Sequence, residues 1–182
     1  MDGIVVGIGT ALADDPELTA RPPGPRRPVR IVLDSAARLP RTSRLVHSSG
    51  ETPVWVAVNQ RAPIDRCDAL RSLGCEILEF PGEGAIPIEP LLDELGRRGL
   101  TNLLVEGGGH VLGAFFDGGA VDAVDVYVAP LLEGGRHGHH PALGKGCALM
   151  AQARRLERHE ISNIDGDVRI HGTFPHPWLP VE

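Results

Sequence analysis

The 182-residue chain has little of what marks several classes of protein. Its three cysteines form no CxxC pair, and this odd number argues against a disulfide framework and against a structural zinc site. No apolar run approaches the roughly 18 residues of a membrane-spanning helix, and no basic-then-apolar leader opens the sequence. We therefore expect a soluble protein of the reducing cytoplasm that has no membrane partner.

The chain also lacks a concentration of positive charge. Its formal net charge is −6, its pI is about 5.7, and its basic residues are scattered along the sequence. This distribution argues against nucleic acid as a partner, although a small anionic ligand needs only local positive charge. A chain of this length can bury a core without disulfides or metal, so we expect one domain over residues 1–182.

What the sequence does contain is an alternation of short apolar runs and amphipathic segments. Apolar runs rich in β-branched residues predict strands at GIVVGIGT, 29–34, 53–58, CEILEF, NLLVEGGG and 123–132. Helical spacing predicts helices in PIEPLLDELGRRGL, in HVLGAFFDGG and at 64–73, where Ile64, Cys67 or Ala69, Leu70 and Leu73 share one side. Residues 35–52 are too polar for a core element. Residues 154–174 predict two antiparallel strands joined through NIDGD. The alternation predicts an α/β fold whose mostly parallel sheet has an antiparallel edge.

The stretch VEGGGHVLGAFF, residues 105–116, is the first candidate for binding chemistry. A strand, a glycine loop and a helix in this order present free backbone N–H groups at a helix N-terminus, where the helix dipole favours negative charge. The spacing matches neither GxGxxG nor the P-loop. Two interpretations stay open, a phosphate or pyrophosphate site and a tight strand-to-helix turn without a ligand.

Three further patterns allow a functional and a plainer interpretation. DDPELTAR (14–21) is either a solvated loop or a site in which Arg21 grips a phosphate bidentately. Glu106 stands at the carboxyl end of a strand, where open α/β sheets bind ligands, but it is equally suited to cap a helix. The histidine-rich run at 134–141 favours adventitious metal affinity, because a glycine-rich loop does not preorganise ligands, and we expect no metal site.

Three segments taken together resemble one family. VVGIGTALADDPELTAR, VRIVLDSAARLPRTSRLV and NLLVEGGGHVLGAFFDGGAVDAVDVYVAPLLEGG are similar, in that order, to the reductase domain of the riboflavin biosynthesis deaminase/reductase. The resemblance covers residue 3 to about residue 173. It implies a dihydrofolate-reductase-like, three-layer fold with NADPH as cofactor. The implied reaction reduces 5-amino-6-(5-phosphoribosylamino)uracil, a phosphorylated pyrimidine, to its ribitylamino form.

The same resemblance assigns roles to residues. It implies cofactor contacts from Thr10, Asp14 and Ser35 and from a stretch that would wrap the NADPH pyrophosphate, namely Gly108, Gly109, His110, Val111, Leu112, Gly113 and Ala114. Leu18, Arg21 and Glu106 would contact the substrate. Asp14 and Glu106 are the candidate proton donors, beside water. From charge alone, Arg38 or Arg41 would help to neutralise the 2′-phosphate that distinguishes NADPH from NADH.

The sequence departs from the family pattern in two places. The zinc deaminase signature, HxE followed by PCxxC, is absent, which excludes the chemistry of that half. Family members also begin this domain with a strand, an SLDG-like turn and a helix before the VGxGT strand, so we expect a domain truncated at its N-terminus, with an exposed sheet edge. An inactive relative that serves as an NADP-binding or interaction module, and another pyrimidine or pterin reductase on the same fold, remain alternatives. The resemblance and the exposed edge both favour a homodimer.

Overall fold

Two β-sheets of different kinds organise the chain. The computed structural model describes residues 1–19, 24, 27–132, 134 and 140–175. A parallel sheet has the order β4-β3-β2-β1-β5, and its strands are β1 (Gly3–Gly7), β2 (Val29–Leu33), β3 (Val54–Asn59), β4 (Glu76–Phe80) and β5 (Leu103–Val105). The first strand of the sequence thus lies inside the sheet, between β2 and β5.

Helices cover both faces of the parallel sheet. They are α1 (Ile8–Asp14), α2 (Arg44–His47), α3 (Ile64–Ser72), α4 (Ile88–Arg97) and α5 (Gly109–Asp117). Alternate residues of the strands point to opposite faces, so Val6, Val32 and Val56 enter one apolar cluster while Val5 and Ile31 enter the other. The first cluster takes side chains from α1, α2 and α3, and the second from α4 and α5. This burial on both faces explains why the strands read as continuous apolar runs.

The antiparallel strands form a sheet of their own. β6 (Ala123–Val128), β7 (Arg158–Ile164) and β8 (Asp167–Thr173) have the order β6-β8-β7. The predicted turn between β7 and β8 is confirmed, with Asp165 at φ 53° and Gly166 at φ 99°, as a two-residue hairpin turn of the I′ kind requires. The α/β fold with a parallel central sheet is confirmed, and the antiparallel strands expected at the edge of that sheet form a separate small sheet. Within the described residues, β5 pairs only with β1 and β6 only with β8, so each has a free edge.

An aromatic contact joins the second sheet to α5. Phe174, directly after β8, donates its backbone N–H to the carbonyl of Asp122 at 2.8 Å, and its ring meets that of Phe116 in α5 edge-on at 5.6 Å. The guanidinium of Arg154 lies over the Phe174 ring at 4.2 Å.

Among the helices of the described ranges, none is both long and apolar enough to cross a bilayer.

Three details of the sequence prediction were wrong. The strand predicted at GIVVGIGT ends at Gly7, and residues 8–10 begin the helix α1 instead. Residues 35–52 do contribute to the core, because the short helix α2 buries Leu45 and Val46, and Ala37 and Leu39 are buried before it. Their apolar side chains stand singly among polar ones, which hides them from a periodicity argument. In α3, the buried side is Cys67 and Leu70, whereas Ile64 at the first position is 76% exposed and Leu73, just past the end, is 43% exposed.

Candidate functional site

The carboxyl ends of three neighbouring strands bring the predicted site segments to one edge of the parallel sheet. β1 pairs in parallel with β2, with Gly7 opposite Leu33, and with β5, where Val5 is opposite Val105. The segments that follow are α1 after β1, residues 34–41 after β2 and the glycine loop after β5. This is the edge at which open α/β sheets bind their ligands.

Thr10 joins the first of these segments to the third. Its Oγ1 accepts a hydrogen bond from the backbone N–H of Gly108 at 2.8 Å, across 98 residues of sequence. Gly107 has a φ of +90°, and a Cβ at this position would stand 2.6 Å from Thr10 Oγ1. Glycine is therefore required at 107 both by the left-handed backbone and by the approach of Thr10. Two residues assigned to the cofactor, Thr10 and Gly108, are in direct contact.

Two other glycines of the motif make room for protein rather than for a ligand. A Cβ at Gly109 would lie 2.5 Å from the carbonyl oxygen of His140, and one at Gly113 would lie 1.0 Å from that of Leu143. Leu143 also donates its N–H to the carbonyl of Gly109 at 2.8 Å. Segment 140–144 therefore covers this side of α5, and glycine is what allows the two backbones to touch.

The exposed part of the motif is the beginning of α5. Gly108, the N-cap, and His110 are exposed, whereas Gly113 and Phe115 are buried. The first N–H groups of a helix have no partner within the helix, and the dipole places partial positive charge there. This end of α5 can accept an anion, and Gly108 allows one to approach the backbone.

The candidate acids stand at the same edge. Glu106 is half-buried one residue past β5, and its N–H donates to the carbonyl of Val5 at 3.0 Å. Asp14 ends α1 and is exposed. Leu18 is 9% exposed and its side chain packs in the core, so a substrate contact from this residue would come from its main chain. Arg21 lies outside the described residues.

The segment after β2 borders an arginine-lined cavity. Ser35 is half-buried, and its carbonyl accepts the N–H of Asn59 at 3.1 Å. Close by, a cavity of about 450 Å³ opens to solvent and is lined by Ala37, Arg38, Leu39, Pro40, Arg41, Arg66 and Leu70. Three guanidinium groups therefore border one small cavity, and planar guanidinium groups bind phosphate oxygens in forked pairs.

Asp34 fixes the segment that carries Arg38. Its carboxyl group is fully buried, and Oδ2 accepts the N–H of Leu39 at 2.7 Å. Within the described residues Oδ1 has no hydrogen-bond partner, and Arg38 Nε lies 3.9 Å from it. Burial raises the pKa of Asp34 above its ordinary value, although hydrogen bonds from the backbone and the charge of Arg38 oppose that shift.

Comparison with known proteins identifies the family. The model of the RibD C-terminal domain matches residues 1–170. This chain belongs to the RibD C-terminal domain family. It is 36% identical over 176 residues to the 2,5-diamino-6-ribosylamino-4(3H)-pyrimidinone 5′-phosphate reductase of Methanothermobacter thermautotrophicus, covering 94% of this chain and 79% of the relative. It is 32% identical over 168 residues to the riboflavin biosynthesis protein RibD of Bacillus amyloliquefaciens, covering 92% of this chain and 45% of the relative.

Solved structures agree with the family assignment. Acinetobacter baumannii RibD, form 2, superposes with a TM-score of 0.78 at 27% identity, covering 95% of this chain and 47% of that one. A reductase structure from Saccharomyces, titled Rib7, has a TM-score of 0.75 at 18% identity, which supports the fold alone. The chain spans about half the length of the RibD proteins it matches.

Two residues of this RibD-type domain escaped the sequence prediction. Asp34 ends the VRIVLD run. A carboxylate directly after a buried apolar strand weakly indicates a buried carboxylate with a structural role. Arg66 lies 25 residues past Arg41, and nothing local to α3 indicates that it lines a cavity with that residue. Within the described ranges no group of three metal-binding side chains occurs, and residues 135–139 of the histidine-rich run lie outside them.

Proposed function

We propose that this chain is a cytoplasmic, NADPH-dependent reductase of riboflavin biosynthesis, which reduces the ribosylamino group of a phosphorylated pyrimidine to a ribitylamino group. The observation that carries the proposal is a pair of separate anion sites at one sheet edge: the exposed start of α5 beside Thr10, and the arginine-lined cavity next to Ser35. NADPH carries two separate phosphate groups, a pyrophosphate and a 2′-phosphate. Relatives of 36% and 33% identity are named as reductases of such a pyrimidine phosphate.

The start of α5 is suited to the pyrophosphate. Thr10 holds Gly108 in place, and Gly108 and His110 are exposed, so we assign the phosphate contacts to this first turn. Gly109 and Gly113 pack on segment 140–144, and Val111 packs on Gly7. We infer that these residues support the first turn of α5 rather than contact the phosphates. We also assign a cofactor contact to Asp14, which ends α1 and is exposed at the same sheet edge.

The arginine-lined cavity is suited to the 2′-phosphate. Arg38, Arg41 and Arg66 line it, and Ser35 lies two residues before Ala37, the first lining residue. The side chain of Arg38 is 53% exposed, so it can swing toward a ligand while Asp34 anchors the backbone below it. A cavity with three positive charges favours NADPH over NADH, since only NADPH carries the 2′-phosphate.

The residues assigned to the substrate lie on the loop after α1 and at the end of β5. Arg21 would bind the ribose phosphate as a forked pair, Leu18 would contribute a main-chain contact, and Glu106 would reach the substrate from β5. Bound NADPH would supply the hydride. Asp14, Glu106 or water gives the proton, and the chain accelerates the reaction mainly by holding the two reactants in contact.

The names of the relatives leave two pyrimidines to distinguish. The reductases of Methanothermobacter and Archaeoglobus are named for a 2,5-diaminopyrimidinone, whereas a Thermotoga maritima structure of 23% identity is titled for 5-amino-6-(5-phosphoribosylamino)uracil. The two compounds differ at ring position 2, which carries an amino group in the first and an oxygen in the second. We propose the uracil compound, and the test offers both.

The test follows NADPH oxidation by absorbance with each pyrimidine phosphate, and NADPH binding by calorimetry. Turnover with either compound supports the reductase, and turnover with the diamino compound alone replaces the uracil compound as substrate. NADPH binding without oxidation in either case favours an NADP-binding or interaction module. Absence of NADPH binding by the folded protein contradicts the whole proposal.

A matched pair of variants tests the arginine-lined cavity. Arg66→Ala should weaken NADPH binding roughly ten- to a hundredfold, because a charge-assisted hydrogen bond contributes roughly 1.5–3 kcal/mol. The same change should leave NADH binding unaltered. Arg71→Ala removes an exposed arginine of the same helix, which pairs with Asp68 and Glu79, and is the control. Equal weakening of both dinucleotides by Arg66→Ala would place the 2′-phosphate elsewhere.

We also propose that the partner of this chain is a second copy. One face of the antiparallel sheet carries Val126, Val128, Ile161 and Val168, which are 43%, 51%, 63% and 40% exposed, whereas Asp125 and its ion-pair partner Arg169 lie on the other face. An exposed apolar sheet face of this kind is unusual for a monomer. Sedimentation should give a dimer for the natural chain and a monomer for Ile161→Asp; a natural chain that sediments as a monomer rejects the assignment.

A further inference from the structure

A buried arginine supports the loop on which the proposed substrate contacts lie. Arg30, in β2, has no exposed surface. Its guanidinium donates to Ser48 Oγ at 2.6 Å, to the carbonyl of Ser48 at 3.0 Å, to the carbonyl of Thr52, and to the carbonyl of Glu17 at 3.3 Å. Burying a charged group is costly unless it is well hydrogen-bonded, and these four hydrogen bonds offset that cost.

The loop that Arg30 reaches has a strained backbone. Asp15 has a φ of 40° and Leu18 a φ of 52°, and left-handed backbone of this kind costs a non-glycine residue roughly 1–2 kcal/mol. Such a conformation persists only where surrounding contacts hold it. Strained residues of this kind concentrate at functional sites.

Contacts at Asp15, Glu17 and Leu18 hold this loop. The backbone N–H of Arg44 donates to Asp15 Oδ1 at 2.9 Å, and the side chain of Arg44 pairs with the carboxylate of Glu17. The side chain of Leu18 is buried in the core. Arg30 donates a hydrogen bond to the carbonyl of Glu17. Because it also donates to the carbonyls of Ser48 and Thr52, it links the loop to the connection between α2 and β3.

We propose that Arg30 is a positioning residue for the substrate, which acts by fixing loop 15–18 in its strained conformation. The inference rests on the proposed function, since it assumes that this loop contacts the pyrimidine phosphate. Arg30 contacts neither the start of α5 nor the arginine-lined cavity, so its effect is confined to the substrate side. It lies beneath the loop, inside the core, and touches no reactant.

The test compares Arg30→Met with Arg30→Lys. Methionine keeps most of the buried volume and removes the charge and the hydrogen bonds, whereas lysine keeps the charge and can reach part of the same carbonyls. Arg30→Met should raise the KM for the pyrimidine phosphate roughly ten- to a hundredfold, because small misplacements of a binding loop have effects of this size. NADPH affinity should stay within about twofold, and Arg30→Lys should recover part of the lost KM.

Hydrogen exchange provides a readout that does not depend on turnover. In Arg30→Met, amides of residues 14–19 should exchange at least about tenfold faster, while those of α4 keep their natural rate. Arg44→Ala removes the exposed ion pair with Glu17 on the same loop without altering the core. It should raise the KM and the exchange rates of the loop as well, but by less. Arg71→Met, a surface change whose side chain pairs with Asp68 and Glu79 rather than with the loop, should alter neither quantity.

The outcomes separate this inference from the proposed function. If the natural chain turns over neither pyrimidine, the proposed function fails, and the exchange of residues 14–19 still decides whether Arg30 holds the loop. Unchanged exchange of the loop in Arg30→Met overturns the inference. Faster exchange throughout the chain with unchanged KM also overturns it, because Arg30 would then be a structural residue only.

Discussion

Gly113 offers the sharpest test of how the glycine motif is built. It lies within α5, where alanine normally stabilises a helix by about 1 kcal/mol over glycine. A Cβ at this position would stand 1.0 Å from the carbonyl oxygen of Leu143 and 2.2 Å from its carbonyl carbon. A carbon and an oxygen in normal contact are more than 3 Å apart, so Leu143 would have to move by about 2 Å.

The expected result for Gly113→Ala is a net loss of stability. Overpacking of this severity costs about 1–3 kcal/mol or more, which exceeds the gain in helix propensity. If segment 140–144 moves away instead, the hydrogen bond from Leu143 to Gly109 is lost, which contributes about 1 kcal/mol. Set against the gain of about 1 kcal/mol in helix propensity, the first route leaves a net loss of up to about 2 kcal/mol, and the second leaves no net gain in the free energy of unfolding.

Gly96→Ala is the matched control. Gly96 also lies within a helix, α4, but among the described residues a Cβ there meets no atom within 4 Å. This change should therefore raise the free energy of unfolding by about 1 kcal/mol. Urea unfolding followed by circular dichroism measures both variants. If Gly113→Ala is as stable as Gly96→Ala, the close packing of α5 on segment 140–144 is refuted.

Two further predictions concern buried ionisable groups. Burial raises the pKa of Asp34 above 3.8. Just above pH 3.8 the folded state therefore binds more protons than the unfolded state, and the free energy of unfolding that Asp34 contributes falls as the pH rises. The stability of Asp34→Asn relative to the natural chain should therefore increase between about pH 4 and pH 7, and a decrease in urea titrations would contradict this. Burial also raises the pKa of Cys75 to about 11 and that of Cys67 above its usual range, while Cys147 is exposed. A thiol reagent at pH 8 should label Cys147 alone in the folded protein and all three cysteines in denaturant; rapid labelling of a second thiol under native conditions would show that the core is open.

The parallel sheet could be predicted because its strands carry their own signal. Burial on both faces selects runs such as GIVVG and VRIVL, of which the first is bounded by glycines and the second lies between Pro28 and Asp34. The turn between β7 and β8 was likewise predictable, since Asp165 and Gly166 suit left-handed backbone. The carboxyl ends of the strands then had to share one edge, which is why Thr10 and Gly108 meet although 98 residues separate them.

What could not be predicted depends on distant contacts. The short helix α2 is determined by what Leu45 and Val46 pack against rather than by its own four residues. Arg30 stands in an apolar run where sequence patterning predicts only a strand, and its partners Glu17, Ser48 and Thr52 come from two separate connections. Arg66 joins Arg38 and Arg41 only once α3 has packed beside the segment after β2.

The glycine motif after β5 combines two roles that substitutions can separate. Gly113 admits the protein's own backbone, whereas Gly108 is exposed, has a φ of −47°, and has only Thr10 Oγ1, at 3.4 Å, near a Cβ. Gly108→Ala should change the free energy of unfolding by less than about 1 kcal/mol. If phosphates lie against this backbone, the added methyl group should weaken NADPH binding about tenfold or more, because it holds the ligand away from the helix N-terminus. Calorimetry that gives Gly108→Ala the natural affinity would remove the pyrophosphate from this end of α5 and leave the glycines with a packing role alone.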